Sequence, residues 1–359
     1  MRNFSLKTIL LKLLITSISV IVTLVVFEIT LYYSDYLPYY RFQIKELPLS
    51  QGTLMIKLDP ELLYRVVPHS HPDINNLGFR DKDFSIKKKS DIKRVVVLGD
   101  SFVMGNNVSR IDTIPGQLQL ANQQNFEVFN MGLSGYGPDQ ELLLLKKVAL
   151  NLNPDLVILG IYAGNDLRDI DLNGIFEIDK NGFLLKKEQN PVELILPTLR
   201  TSMLFRMLFQ KRYLEQHVED QLSKALLQDK NELILNLRQS KNVRRLKLMQ
   251  AIFKEFKEIS KINSIPMLIA IFPSYDAFEL NKNKPEKKQF VNEQAILELC
   301  QQAVLSCIDL TSEFLKQNSL DLYDPNYKHF NAKGNKIAAD IILRELSKID
   351  FLGDRFVNS

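Results

Sequence analysis

Residues 93–105 read KRVVVLGDSFVMG. The β-branched and aliphatic run Val95 to Leu98 has the character of a strand buried on both faces, as in a parallel sheet. It stops at Gly99, and an acid and a hydroxyl, Asp100 and Ser101, occupy the turn that follows.

Working outward, short apolar runs alternate with helical patterns: a helix over Thr113–Gln123, the run FEVFNMG, a helix over Pro138–Asn151 and the run PDLVILGIY. The rhythm resumes with a helix over Val243–Lys261, IPMLIAIFP, a helix over Val291–Leu305, the short run CIDL and a final helix over Ala332–Ile349. Strands alternating with helices predict βαβ units and five parallel strands. Between them, residues 171–240 read as an insertion: FEIDKNGFLL forms a hairpin around Lys180, Asn181 and Gly182, and helical sequence follows from Val192.

Upstream, residues 9–33 are almost continuously apolar, with Lys12 and Glu28 as the only charges. That length suits a membrane span better than a removable signal, because no small-x-small cleavage site follows. Arg2, Lys7 and Lys12 favour a cytoplasmic N-terminus, so the body is expected to be extracytoplasmic. The divisions expected are residues 1–34 as cytoplasmic end and anchor, 35–92 as a stalk and domain-packing segment, and 93–350 as the catalytic-size domain.

The 46 basic and 42 acidic residues leave a net charge of +4 with no dense basic block, which argues against a nucleic-acid partner. The two cysteines, Cys300 and Cys307, lack metal-ligand spacing; an oxidising compartment would let them pair, and a free buried pair is the other possibility.

In open parallel sheets ligands bind at the carboxyl ends of the strands, and the chemically interesting residues fall there. Ser101 follows the first strand, where nearby N–H groups would stabilise developing negative charge. The turn has neither the phosphate-loop nor the dinucleotide glycine pattern. The second strand leads into NMGLSGYGPD, whose Gly135 would let a backbone N–H approach an oxyanion; the same stretch also reads as a plain turn before a helix capped by Asp139. The third ends in GIYAGND, where the Asn165 amide is a neutral donor. YDPNYKHFNAKGN brings His329, a candidate general base, to the same edge. Arg80, Arg206, Arg212 and the Arg244–Arg245 pair read as solvated faces or packing salt links, and the stripe RTSMLFRMLFQKRYLEQ as core or a membrane-touching face.

Taken in this order, GDSF, NMGLSG, GND and the His329 loop resemble the SGNH hydrolases, also called the GDSL esterase/lipase superfamily, over about residues 93–346. The resemblance implies a flavodoxin-like three-layer α/β/α fold and a serine esterase working through an acyl-enzyme, with no metal or cofactor. Ser101 is then the nucleophile, His329 the base, and the N–H groups of Ser101 and Gly135 with the Asn165 amide the oxyanion hole. The last block departs from the family's pattern, in which an aspartate precedes the histidine by two or three residues; here those positions hold Tyr327 and Asn326. Asp324 is favoured as the acid that orients the imidazole, because Pro325 can fix a turn there, and Asp321 is the alternative. Failing both, a Ser–His dyad would rely on a backbone carbonyl.

The substrate expected is a short-acyl ester, on an envelope or exported glycan or on a lipid. An O-acyltransferase using the same serine, or a degenerate envelope scaffold, are the competing expectations.

Overall fold

The computed structural model describes residues 6–33, 48–49, 52–59, 61–121, 126–187, 232–283 and 290–348. They fall in two compact units, one of residues 1–46 and 189–232, the other of residues 47–188 and 233–359.

In the first unit the helix Leu6–Tyr33 carries the 18-residue stretch Leu10–Phe27, of mean hydropathy 2.5 and with none of it buried against protein. At 1.5 Å per residue such a helix is long enough, and apolar enough, to cross a bilayer. Two of its hydroxyls fold back on their own helix, Thr23 to the Ser19 carbonyl and Thr30 to that of Val26, both at 2.8 Å, which satisfies them without water.

The second unit is built on five parallel strands: β1 (Lys93–Gly99), β2 (Phe126–Gly132), β3 (Leu156–Tyr162), β4 (Met267–Phe272) and β5 (Ser306–Asp309). They lie side by side in the order β5-β4-β3-β1-β2, the flavodoxin-like order, with β1 between β3 and β2. Period-two alternation sends Val95 and Val97 to one face, against Ile114, Leu118, Ala338 and Ile342 from the helices Ile114–Ala121 and Ala332–Lys348. Val96 and Leu98 face the other way, against Leu142, Phe253 and Phe256 from the helices Pro138–Lys147 and Glu232–Asn263. Both faces are covered, so three layers result, and the strand runs are apolar for that reason.

Several boundaries differ from expectation. The helix from Pro138 ends at Lys147, and a 3₁₀ turn, Ala149–Leu152, carries the chain to Asn153 at φ 51°; Pro154 disfavours helix in the residue before it. Asp139 does not cap that helix. Gly137 does, with the Gln140 side chain reaching back to its N–H (3.2 Å), while Asp139 is buried and accepts from Asn173 (2.9 Å). Helices Tyr275–Asn283 and Thr311–Leu315 add to those read from sequence. The hairpin Phe176–Ile178 with Leu184–Lys186 is present, its turn held by Asp179 accepting from the N–H groups of Asn181 and Phe183 at 2.8 Å each. The helical sequence from Val192, with Arg206 and Arg212, lies outside the described residues.

Residues 52–92 share the sheet's core. Leu54, Leu62, Val66, Ile74, Phe79 and Phe84 are buried in the same cluster as Val96 and Leu98. Arg80 is a packing residue, 1% exposed, whose guanidinium donates to the carbonyls of Gly105 and Val108 and to Asp73, tying this segment to the loop after Ser101. Cys300 and Cys307 are disulfide-bonded, linking the helix Val291–Gln302 to β5.

Arg94 binds the amino end of β1 to three elements. Its side chain is 1% exposed, pairs with Glu127 at 3.1 Å, and donates to the carbonyls of Leu152 (2.8 Å), Ser85 (2.7 Å), Ile86 and Lys87 (both 3.0 Å). Replacing it with a shorter, apolar chain strands these acceptors and Glu127 together. Arg94→Met is expected to lower the unfolding free energy by about 2–4 kcal/mol in urea titration, with the m-value unchanged.

Candidate active site

β1 delivers Ser101 to the carboxyl edge of the sheet. Asp100 ends the strand and caps the single-turn helix Ser101–Met104, its Oδ1 accepting from the Phe102 N–H at 2.8 Å, and Gly105 closes the turn in the left-handed region. Ser101 thereby stands first in the turn and half-buried.

His329 arrives on a tight loop. Tyr323 and Phe330 pair antiparallel, the Asp324 N–H donates to the His329 carbonyl (2.7 Å), and Lys328 turns the chain at φ 57°. The Tyr323 hydroxyl anchors the loop on the Pro273 carbonyl (2.6 Å), and Phe102 stacks on the imidazole with ring centres 4.7 Å apart. The outcome is a distance of 2.7 Å between His329 Nε2 and Ser101 Oγ.

The other ring nitrogen, Nδ1, lies 2.7 Å from the Tyr327 carbonyl oxygen. A carbonyl only accepts, so Nδ1 carries the proton and Nε2 presents its lone pair to the serine hydroxyl. This corrects the expectation that Asp324 orients the imidazole. The Asp324 carboxylate instead accepts from the N–H groups of Asn326 (2.8 Å) and Tyr327 (3.2 Å), while Asp321 accepts from Asn318 (2.6 Å). A side chain one turn ahead of a tight loop closes that loop on itself, and the carbonyl it fixes takes the position the carboxylate was expected to take. Burial lowers the His329 pKa, against the smaller raising effects of the Tyr327 carbonyl and of the Asp324 charge.

The other two loops meet at the same strand ends. Gly99 pairs with Gly132 across β1 and β2, and the Leu133 N–H donates to the Gly99 carbonyl (3.0 Å). Gly132 is required there, because a Cβ would fall 2.4 Å from the Met104 nitrogen. Gly135, at φ +76°, is the exposed residue in an otherwise buried run from Met131 to Gln140. Asn165 heads the helix Asp166–Asn173; its Nδ2 donates to Asp169 (2.9 Å) and lies 3.4 Å from Asp100 Oδ2, which is itself 3.4 Å from Ser101 Oγ. The sequence reading of Asp100, beside the serine but bonded to the turn rather than serving it, agrees with its Oδ1 on the Phe102 N–H, whereas Asp169 was not singled out, since an acid on a helix is ordinary.

Asp100 belongs to a buried group with Asp139, Glu141 and Asp166, beside which Asp169 is half-buried. Burial raises Asp100 and Asp169 to about 6 and Asp139 to about 7, and lifts Glu141 and Asp166 well above the usual carboxylate range. Burial therefore favours the neutral form in the deepest of them, Glu141 and Asp166.

No protein-family model matches the sequence, and no curated protein matches it. Among solved structures the chain is similar to a lipase/acylhydrolase from Enterococcus faecalis (14% identity over 72% of this chain and 97% of that one, TM-score 0.40). It is also similar to the acetyl xylan esterase AlAXEase (14%, covering 70% and 99%, TM-score 0.41) and to the psychrotrophic esterase EstA from Pseudoalteromonas sp. (12%, covering 72% and 98%, TM-score 0.39).

Two outcomes follow from the loop geometry. With Tyr327 O rather than a carboxylate on Nδ1, Asp324→Asn, whose amide oxygen can still close the loop, is expected to keep ester hydrolysis within about tenfold of the parent. A side chain that holds the imidazole directly would cost about 10⁴-fold on the same change. A base must be neutral, and burial lowers the imidazole pKa, so kcat/KM is expected to rise with pH through a midpoint below 6.5 and level off by neutrality. A pH–rate series from about 4.5 to 8 measures it.

Proposed function

We propose that the chain is a membrane-anchored, extracytoplasmic serine esterase of the SGNH type, hydrolysing short-acyl carboxylic esters through an acyl-enzyme. The observation that carries this reading is the 2.7 Å contact between Ser101 Oγ and the unprotonated Nε2 of His329. It is the arrangement in which an imidazole takes a serine proton as the oxygen attacks a carbonyl.

The steps follow from the groups present. Nε2 accepts the Ser101 proton while Oγ bonds to the ester carbon, and the carbonyl electrons move onto oxygen. The N–H groups of Ser101 and Gly135 and the Asn165 amide receive that charge; each such donor contributes about 10²–10³-fold. The imidazolium is held through Nδ1–H by the Tyr327 carbonyl, with the Asp324 charge nearby. Collapse expels the alcohol, protonated by Nε2–H, and water repeats the sequence on the acyl-enzyme.

Location outside the cytoplasm is supported by the apolar N-terminal helix with Arg2, Lys7 and Lys12 toward its start, and by the Cys300–Cys307 disulfide, a bond at home in oxidising compartments. Envelope or exported glycans are the ester carriers such a position would meet. The Tyr327 carbonyl on Nδ1 supports the catalytic reading over the scaffold one, since it orients the imidazole where the family's aspartate is missing.

p-Nitrophenyl acetate should give a burst of nitrophenol stoichiometric with protein, and Ser101→Ala should abolish the burst and lower turnover about 10³-fold or more. A fluorophosphonate should label Ser101, located by peptide mass spectrometry. Equal turnover in parent and variant, with no label on folded protein, would sink the proposal. Including a glycan acceptor in the assay separates hydrolysis from acyl transfer by the product formed.

A further inference from the structure

The site has a second requirement, which rests on the esterase reading and deepens it. On that reading the Gly135 N–H faces the oxyanion; Gly135 is exposed, and among the described residues no group accepts from its N–H. The orientation of that N–H is set by the Ser134–Gly135 peptide, and glycine makes the orientation insecure. Rotating the peptide by half a turn would carry Gly135 from φ +76° to a negative φ, and glycine occupies both regions at similar cost. In the rotated form a carbonyl oxygen, not a donor, would face the developing oxyanion.

One side chain opposes the rotation. Tyr64, in the strand Leu63–Val66, places its hydroxyl on the Ser134 carbonyl oxygen and donates to it. Tyr64 is held in turn. The Tyr136 hydroxyl donates to the Tyr64 backbone carbonyl (2.5 Å), the two rings meet edge to face at 5.2 Å, and the Gln140 amide donates to the Leu62 carbonyl (2.6 Å). A Cβ added at Gly135 would lie 3.2 Å from the Tyr64 hydroxyl, so the phenol sits directly against the glycine. A hydrogen bond accepted by a peptide's C=O also polarises its N–H, making it the stronger donor. Burial, helped by the charges of Asp169 and Asp100, raises the phenol pKa well above its usual value, so the hydroxyl keeps its proton.

We propose that Tyr64 is a positioning residue of the oxyanion site, its hydroxyl locking the Ser134–Gly135 peptide with the N–H toward the reacting carbonyl. It lies outside all four sequence blocks of the resemblance, in the segment before β1, so that segment is part of the catalytic apparatus.

The test uses full-length protein in detergent. Tyr64→Phe keeps the ring and removes the one hydroxyl. The expected result is a kcat for p-nitrophenyl acetate lowered about 10- to 100-fold with KM within about twofold, and a Gly135 amide resonance that moves or doubles as the rotated peptide becomes populated. A kcat within about twofold of the parent, or a loss with the Gly135 resonance unmoved, overturns the proposal. Should Tyr64→Phe fail to fold, 3-fluorotyrosine at position 64, which keeps every contact with a more acidic hydroxyl, takes its place. The Gly135 amide proton shifting downfield with kcat at or above the parent supports the lock, and no shift overturns it. A parent that gives no burst and takes no fluorophosphonate defeats the esterase reading alone, and the amide resonance still decides whether Tyr64 holds the peptide.

Discussion

The hydrogen bond from His329 Nδ1 to the Tyr327 carbonyl is the constraint on which the site depends. It fixes which nitrogen is protonated, and so which one meets Ser101. A carbonyl differs from a carboxylate in having no net charge, so it sets the tautomer as firmly but stabilises the imidazolium less. Asp324 still contributes, because its carboxylate holds the N–H groups that shape the loop and because its charge lies close enough to raise the imidazole pKa. Orientation and charge, which one aspartate supplies in a Ser-His-Asp site, are divided here between a backbone oxygen and a carboxylate one step removed.

That division explains what could be read from sequence. The central strands were legible because burial on both faces forces continuous apolar runs such as VVVL and LVILGIY, and the serine, asparagine and histidine were legible because they follow such runs at the functional edge. The acceptor for Nδ1 was not, since every residue carries a carbonyl, and its direction depends on Lys328 adopting φ 57°, which lysine does not advertise. Asp324 was named on sound turn chemistry: it does close the turn, and in doing so it is withdrawn from the imidazole. Tyr64 was invisible for another reason, because it lies 70 residues from the peptide it touches and in a segment without sustained periodicity.

The segment before β1 was read from sequence as a stalk and a domain-packing segment. Its described residues pack into the core of the sheet. Arg80 reaches the carbonyls behind the Ser101 turn, and Asp81 accepts from the Asn130 N–H in β2 at 2.9 Å. Leu54, Phe79 and Phe84 fill the core beneath the same strands, with Phe84 stacked on Phe129 at 4.1 Å. A sheet of five strands leaves its functional edge dependent on loops, and loops hold a sub-ångström geometry only when something outside them is packed against them.

The buried acids set a further condition on the chemistry. Asp100 is obligatory for the turn that presents Ser101, because its carboxylate caps that turn, yet its second oxygen lies 3.4 Å from both the Ser101 hydroxyl and the Asn165 amide. A full charge there would repel the oxyanion that the proposed mechanism assigns to the same amide. Complete burial raises the Asp100 pKa to about 6 and lifts those of Glu141 and Asp166 well above the usual carboxylate range, which disfavours further charge behind it. Asp169, also shifted to about 6, accepts from the Asn165 amide at 2.9 Å, closer than Asp100 at 3.4 Å. Burial thus favours the neutral form of the two carboxyls that hold the Asn165 amide, and water admitted to this cluster would favour their charged form.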